Sequence, residues 1–240
     1  MLGRTEEAAM LKYESAVRTN GVDKRLRSLK NCLQTHFSSD PDLEMHANLI
    51  KQQIDLLERQ RPVDAADAAV PGVQLVGSSV LTTLHYCCVH HYGEPVNHLA
   101  SPLAIKERHQ LTDKQYAWTV LKARASQRAW ADIQALFTSK VWFSSGKLRP
   151  VVPFENAVEV LESFGAPAEV LSLYISSIDG SEKRIALAKK YGCFKIVVDT
   201  YVAQKDRLAL QQYRAALQPH DPAHRYAGDA LAAATVRWKN

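Results

Sequence analysis

The chain has 240 residues, 46% hydrophobic and 23% charged, which is ordinary usage for a packed core and leaves room for one or two domains or a single elongated array. Its net charge of +5 is mild and dispersed among acids, without the Lys/Arg run that gathers positive charge on one face for nucleic acid. No apolar run reaches the roughly eighteen residues of a membrane span, the opening MLGRTEEAAM lacks the apolar core of a signal peptide, and Leu2 stands where N-myristoylation requires glycine.

Four cysteines, Cys32, Cys87, Cys88 and Cys193, follow no disulfide-framework spacing. They point to a reduced, cytosolic setting. The first helix is expected from Thr5, as cap, to Val17, ended by Asn20-Gly21. Asp23 is placed to cap a second helix to about Phe37, with Leu26, Leu29, Leu33 and Phe37 on one stripe and Lys24, Arg25, Arg27 and Lys30 largely off it, as a solvated face. Pro41 is well placed at the start of a long helix, about Asp42 to Gln60. Met45, Leu49, Leu56 and Leu57 read as its packing face, and Ala47, Ile50 and Ile54 widen the apolar surface sideways. That is more than one neighbour needs, so the helix is either buried between two others or carries a partner groove. Arg61 to Val73 reads as a connection broken by Pro62, Pro71 and Gly72.

Ser78 to His91 resumes a helix, and Leu103 to His109 forms a short one. Leu111 to Phe137 then reads as two antiparallel helices. Thr112 and Gln115 make a capping box, Leu111 and Tyr116 a hydrophobic staple, and Tyr116, Val120 and Leu121 one stripe. After a Ser126-Gln127-Arg128 break, Trp130, Ile133, Leu136 and Phe137 resume the period. In the following loop, with Gly146, Pro150 and Pro153, Trp142 and Phe143 read as anchors to the helices. Further helices are expected from Phe154 to Phe164, from Pro167 through Ile178, from Ser181 (as cap) to Tyr191, from Cys193 to Val202, and from Asp206 (as cap) through Leu217. Pro219 and Pro222 end the strong pattern, and Asp229 to Val236 reads as a weak last helix or a frayed one. Hairpins recurring every 25 to 35 residues or so signal helical repeats. The fold expected is all-α: an α-solenoid of stacked antiparallel hairpins over 1–217, then a tail over 218–240, a weak helix or disordered.

Reactive chemistry is sparse. Within His85-Tyr86-Cys87-Cys88-Val89-His90-His91, Cys87 and His91 lie one helical turn apart, but a structural zinc needs four ligands and no second pair at suitable spacing follows. There is no Gly-rich phosphate loop, nucleophile elbow or zincin motif. No enzyme activity, cofactor or metal is expected. The tryptophans, apart from Trp142 in the loop and Trp238 in the tail, sit at helical spacing that suits a core.

The run Asp113-Lys114-Gln115-Tyr116-Ala117-Trp118, then Trp130-Ala131-Asp132-Ile133 and Phe137-Thr138-Ser139-Lys140, resembles the C-terminal helical domain of the vacuolar protein sorting sixteen family. Val152-Pro153-Phe154 looks like that family's link into the next hairpin, and Gln53-Ile54-Asp55-Leu56-Leu57-Glu58-Arg59-Gln60 is similar too. Ala188-Lys189-Lys190-Tyr191-Gly192-Cys193, Val198-Asp199-Thr200-Tyr201 and Lys205-Asp206-Arg207 lean toward its metazoan branch, the spermatogenesis-defective type. The resemblance covers about Asp23 to Leu217. It implies a non-enzymatic scaffold in endosome-to-lysosome traffic and membrane tethering, peripheral to late endosomes and lysosomes through its partners. The partner implied is an SM-class (syntaxin-binding) protein of the vacuolar protein sorting thirty-three type, with other tethering or SNARE components, and no nucleic acid. By motif position the contact residues implied are Ala47, Ile50, Lys51 and Ile54, with Gln110, Asp113 and Lys114 at the hairpin entrance; Gln110 stands where sixteen-type proteins tend to carry a basic residue. Family members also have an N-terminal region absent here, which implies a fragment or a short isoform. On this reading Ala47→Asp abolishes SM-protein binding and leaves the chain helical. The alternatives are a core subunit of the HOPS/CORVET tethers and, from another class, a helical-repeat RNA reader, although the repeated base-contacting positions of such readers have no counterpart here.

Overall fold

The structure, a computed structural model, describes residues 2–70, 72, 74–138 and 148–239, with side chains from residue 5 onward. The expected anchors Trp142 and Phe143 lie outside the described residues. Within them the chain is an all-α array of packed helical hairpins, the solenoid class the periodicity calls for. The helices are α1 (Leu2–Val17), α2 (Val22–Cys32), α3 (Glu44–Ala66), α4 (Val80–His90), α5 (Pro102–Arg108), α6 (Asp113–Ser126), α7 (Trp130–Phe137), α8 (Phe154–Ser163), α9 (Ala168–Ile175), α10 (Ser181–Lys190), α11 (Phe194–Gln204), α12 (Arg207–Ala215) and α13 (Pro222–Ala232). The chain forms two compact units, Met1–Thr119 and Val120–Asn240.

In the first unit α2 packs against both α1 and α3. Leu26, Leu29 and Cys32 meet Ala9 and Ala16 of α1 and Ala47, Ile50, Ile54 and Leu57 of α3 in one core. Thr5 lies inside α1, which starts earlier than its cap signal suggests, and Gly21 at φ 83° rather than Asp23 precedes α2. The helix then widens into a π turn over Leu33–Phe37, where the Ser38 N–H donates to the Leu33 carbonyl five residues back at 2.9 Å. This turn places Phe37, 1% exposed, in the core. Asp40 caps the following turn by accepting from Asp42 N at 3.0 Å.

α3 runs past its expected end and contains Pro62. Proline in a helix interior lacks a donor and crowds the preceding turn, at a cost of about 3 kcal/mol. The helix persists because its last turns are held from outside. Gln60, fully buried, donates to Ser78 O at 2.9 Å and Thr83 Oγ1 at 2.7 Å and accepts from Gly77 N at 2.9 Å. Asp64 accepts from Leu75 N and Val76 N at 2.8 and 2.9 Å. The loop before α4 is thus folded onto α3 through polar contacts, which apolar periodicity does not reveal.

In the second unit α8 packs on α9, α9 on α10, α10 on α11, and α11 on both α12 and α13. Phe137 at the end of α7 stacks with Phe154 (5.9 Å) and meets Tyr174 edge-on (5.1 Å). The Tyr174 pKa is pushed up to about 12 by burial. The segment after Pro219 contributes α13. Pro222 opens that helix instead of ending the pattern, Asp221 caps it by accepting from Ala223 N at 2.7 Å, and Ala223 and Ala227 are buried. Asp206 caps α12 as expected, accepting from Ala209 N at 2.9 Å, whereas Gly180 rather than Ser181 precedes α10.

Several helices end in the same left-handed closure. After α8 the Gly165 and Ala166 N–H groups return to Glu162 and Leu161, and after α10 Gly192 and Cys193 return to Lys189 and Ala188. The same pair of bonds forms at Gln110 (φ 52°), Arg128 (φ 54°) and Lys205 (φ 59°), where a side chain occupies a conformation that favours glycine. Lys205→Gly is expected to raise stability by about 0.5–1 kcal/mol and Lys205→Val to lower it by more than about 1 kcal/mol, read from the midpoint of urea unfolding.

Candidate partner-binding surface

The orientation of α3 decides what the first unit can offer a partner. Its inner face is the stripe Leu43, Ala47, Ile50, Ile54 and Leu57, at spacings of four, three, four and three. Ala47, Ile50 and Ile54 are 3%, 4% and 7% exposed, covered by α2 and Phe37. These three, expected as contact residues, have their side chains buried in the core of their own unit and hold α3 in place there. Met45 and Leu49, expected to pack, lie one turn apart on the open side and are 69% and 57% exposed. Both stripes were visible in the sequence. The inner one is unbroken, whereas Gln52 interrupts the run Met45, Leu49, Leu56. Ala47→Asp becomes a core lesion, since it places an unpaired charge among apolar side chains.

The remaining four expected residues are exposed. Lys51 sits one turn before Asp55, whose carboxylate accepts from Arg108 at 2.6 Å. The Arg59 guanidinium donates to the Leu99 carbonyl. These two bonds tie α5 and the turn before it to the C-terminal half of α3, whereas Met45 and Leu49 on its N-terminal half stay open. Gln110 follows in its left-handed turn, then Asp113 and Lys114 at the start of α6. The capping box forms as expected: Thr112 Oγ1 accepts from Gln115 N at 3.2 Å, and Gln115 Oε1 accepts from Thr112 N at 2.9 Å. Lys106 pairs with Asp113 at 2.5 Å and lies 5.3 Å from the centre of the Tyr116 ring. Asp113 is held in place yet 90% exposed. The first unit thus exposes an apolar pair, Met45 and Leu49, on α3 and charges of both signs, Lys51, Asp113 and Lys114, elements suited to a protein partner.

The His/Cys cluster on α4 has a different role. Cys87 and Cys88 are fully buried, and burial pushes the Cys87 pKa up to about 12. His91 Nε2 and the Tyr86 hydroxyl each lie 2.7 Å from Asp67 Oδ2, just past the end of α3. Among the described residues no three His, Cys, Asp or Glu side chains converge on a possible metal position. The cluster instead knots α4 to the end of α3. The sequence signal for this knot was there, an aspartate in the loop and a Tyr/His pair one helix later, but its partners are 19 and 24 residues away.

The fold and surface define a class: an all-α array of helical hairpins with an exposed apolar and charged face. No protein-family model matches the chain. It is similar over its whole length to a spermatogenesis-defective protein 39 homolog of Danio rerio, 34% identical over 248 residues, and to one of Rattus norvegicus, 31% identical over 252 residues. These matches cover 50% and 54% of the two relatives. The spermatogenesis-defective protein 39 of Caenorhabditis elegans is 20% identical over 264 residues, covering 99% of this chain and 50% of that protein. The chain is thus similar along its whole length to spermatogenesis-defective protein 39 homologues and spans about half the length of the curated relatives it matches.

The Asp67 knot has a calculable pH response. Burial raises the Asp67 pKa, but the hydrogen bonds from His91 and Tyr86, with the charge of the nearby histidines, outweigh it and leave the carboxyl below its usual range. A depressed folded pKa contributes stability above the unfolded value, near 3.9, and loses it as pH falls through the folded value. Asp67→Ala is expected to cost roughly 2 kcal/mol at pH 7, by removing the acceptor for Tyr86 and His91. Denaturant unfolding at pH 7 and at pH 3 should show that the gap between wild type and variant narrows in acid.

Proposed function

We propose that the chain is a non-enzymatic adaptor that docks an SM-class protein of the vacuolar protein sorting thirty-three type. The observation that carries this reading is the open N-terminal half of α3, where Met45 and Leu49 are exposed one turn apart beside Lys51. Large apolar side chains adjacent on one helix face are the usual anchors of a helix-mediated interface, and fixed charges around them set register and encounter rate. In this reading Lys51, Gln110, Asp113 and Lys114 form the polar rim. Ala47, Ile50 and Ile54 act from beneath, by fixing the direction in which α3 presents Met45 and Leu49.

The choice of an adaptor over a core HOPS/CORVET subunit follows the resemblance to the spermatogenesis-defective branch, the branch of the relatives found. Against an RNA reader stands the engagement of basic residues with carboxylates: Lys30 with Glu58, Arg61 with Asp23, Arg108 with Asp55 and Arg124 with Asp132. Among the described residues no helix is long and apolar enough to cross a membrane. The proposed place at late endosomes and lysosomes accordingly depends on partners.

Co-purification with the two thirty-three-type SM paralogues tests the reading. Met45→Asp combined with Leu49→Asp is expected to weaken capture at least about tenfold, since anchors of this kind contribute about 1–2 kcal/mol each, while circular dichroism stays that of the wild type. Ala47→Asp is expected instead to lower the unfolding midpoint sharply. Undiminished capture by the folded double variant would sink the surface assignment.

A further inference from the structure

The groove between α12 and α13 was not singled out by any sequence motif. It encloses about 560 Å³ and is lined on α12 by Arg207, Gln211 and Arg214 and on α13 by His224, Gly228 and Leu231. The residues on each helix are spaced four and three apart, so each set forms one face. No carboxylate is among the residues that line it.

Arg214 is set into this groove by a missing side chain. A Cβ built on Gly228, inside α13, would stand 3.3 Å from the Arg214 Cζ and 3.4 Å from its Nε. Glycine within a helix costs about 1 kcal/mol relative to alanine, and here it leaves a bed on which the guanidinium lies against the α13 backbone. The Arg214 Nε is fully buried and makes no hydrogen bond. A buried donor of this kind costs free energy while it has no acceptor.

We propose that this groove is a binding site for a phosphorylated small molecule, with Arg214 as its central ligand. A guanidinium presents a planar fork of donors that fits phosphate oxygens in pairs. Arg207 lies two turns away on the same face of α12, about 10 Å along the axis, and His224 faces it from the other helix. That spacing, with Gln211 between the two arginines, suits a compact ligand carrying more than one phosphate. The volume lies within the range of small-molecule sites. Inositol polyphosphates have this chemistry, whether free or as the headgroup of a lipid. The site lies in the second unit and is independent of the partner surface on α3.

Isothermal titration of the full chain with inositol hexakisphosphate tests the assignment, with inorganic phosphate as the weaker probe. Saturable binding is expected, weakened at least tenfold by Arg214→Ala and less by Arg214→Lys. Gly228→Ala, whose Cβ crowds the guanidinium at 3.3 Å, should weaken it less than Arg214→Ala does. Arg18→Ala, removing an exposed cation elsewhere, should leave it unchanged, and circular dichroism reports whether each variant is folded. Equal affinity for wild type and folded Arg214→Ala, or an equal loss with Arg18→Ala, overturns the proposal. Flotation with phosphatidylcholine vesicles, with and without phosphatidylinositol phosphate, separates the sources: selective capture supports a lipid headgroup, and titration without capture supports a soluble polyphosphate.

Discussion

The first unit depends on one helix face. Leu43, Ala47, Ile50, Ile54 and Leu57 bury a continuous stripe against α2 and the π turn, whereas buried Gln60 and Val63 lie on another side of α3, in register with Met45 and Leu49. Once that stripe is committed, the direction of every other α3 side chain follows from helical geometry. Asp55 and Arg59 turn toward α5, Met45 and Leu49 toward solvent, and the C-terminal turns toward the loop before α4. Small side chains matter here as much as large ones. Ala47 on α3 and Ala9 and Ala16 on α1 occupy core positions in the same cluster that holds Leu29 and Phe37.

This dependence explains where the sequence was legible. Helices marked by strong apolar periodicity and chemically distinct ends, such as α8 between Pro153 and Gly165 or α12 behind Asp206, fall close to their expected bounds. Boundaries set by tertiary polar contacts were not legible. Pro62 reads as a breaker because its local cost is clear, whereas the bonds of Gln60 and Asp64 that offset it come from residues 11 to 23 positions away. The left-handed caps at Gln110, Arg128 and Lys205 escape notice for a related reason. Glycine announces such a turn at Gly165 and Gly192, and a long side chain does not.

The surface on α3 was half legible. Periodicity showed more apolar residues on α3 than one neighbour requires, and Met45 and Leu49 are the ones left exposed. Which stripe would pack was not fixed by hydrophobicity, since Met and Leu are at least as apolar as Ala. The decision came from packing: Ala47 joins the core that α3 shares with α2 and Phe37, and the longer Met45 and Leu49 are left outside. The charged residues Lys51, Asp113 and Lys114 were easier to place, because charge at a helix start or on an outer face rarely goes inward.

The two candidate sites also differ in how a substitution reports on them. On α3 the supporting layer and the exposed layer belong to the same helix, so a lesion at Ala47 loses presentation and stability together. In the α12–α13 groove they separate. The core beneath is Val198, Leu210 and Ala227, and the groove side of the two helices carries Arg214 over Gly228. A glycine in that place is costly for the helix and useful only if the approach of the guanidinium matters. Alanine would restore helix propensity at position 228 while crowding the guanidinium at 3.3 Å. Stability and anion affinity are therefore read separately at that one residue, the first from helix propensity against crowding and the second from the position of the guanidinium.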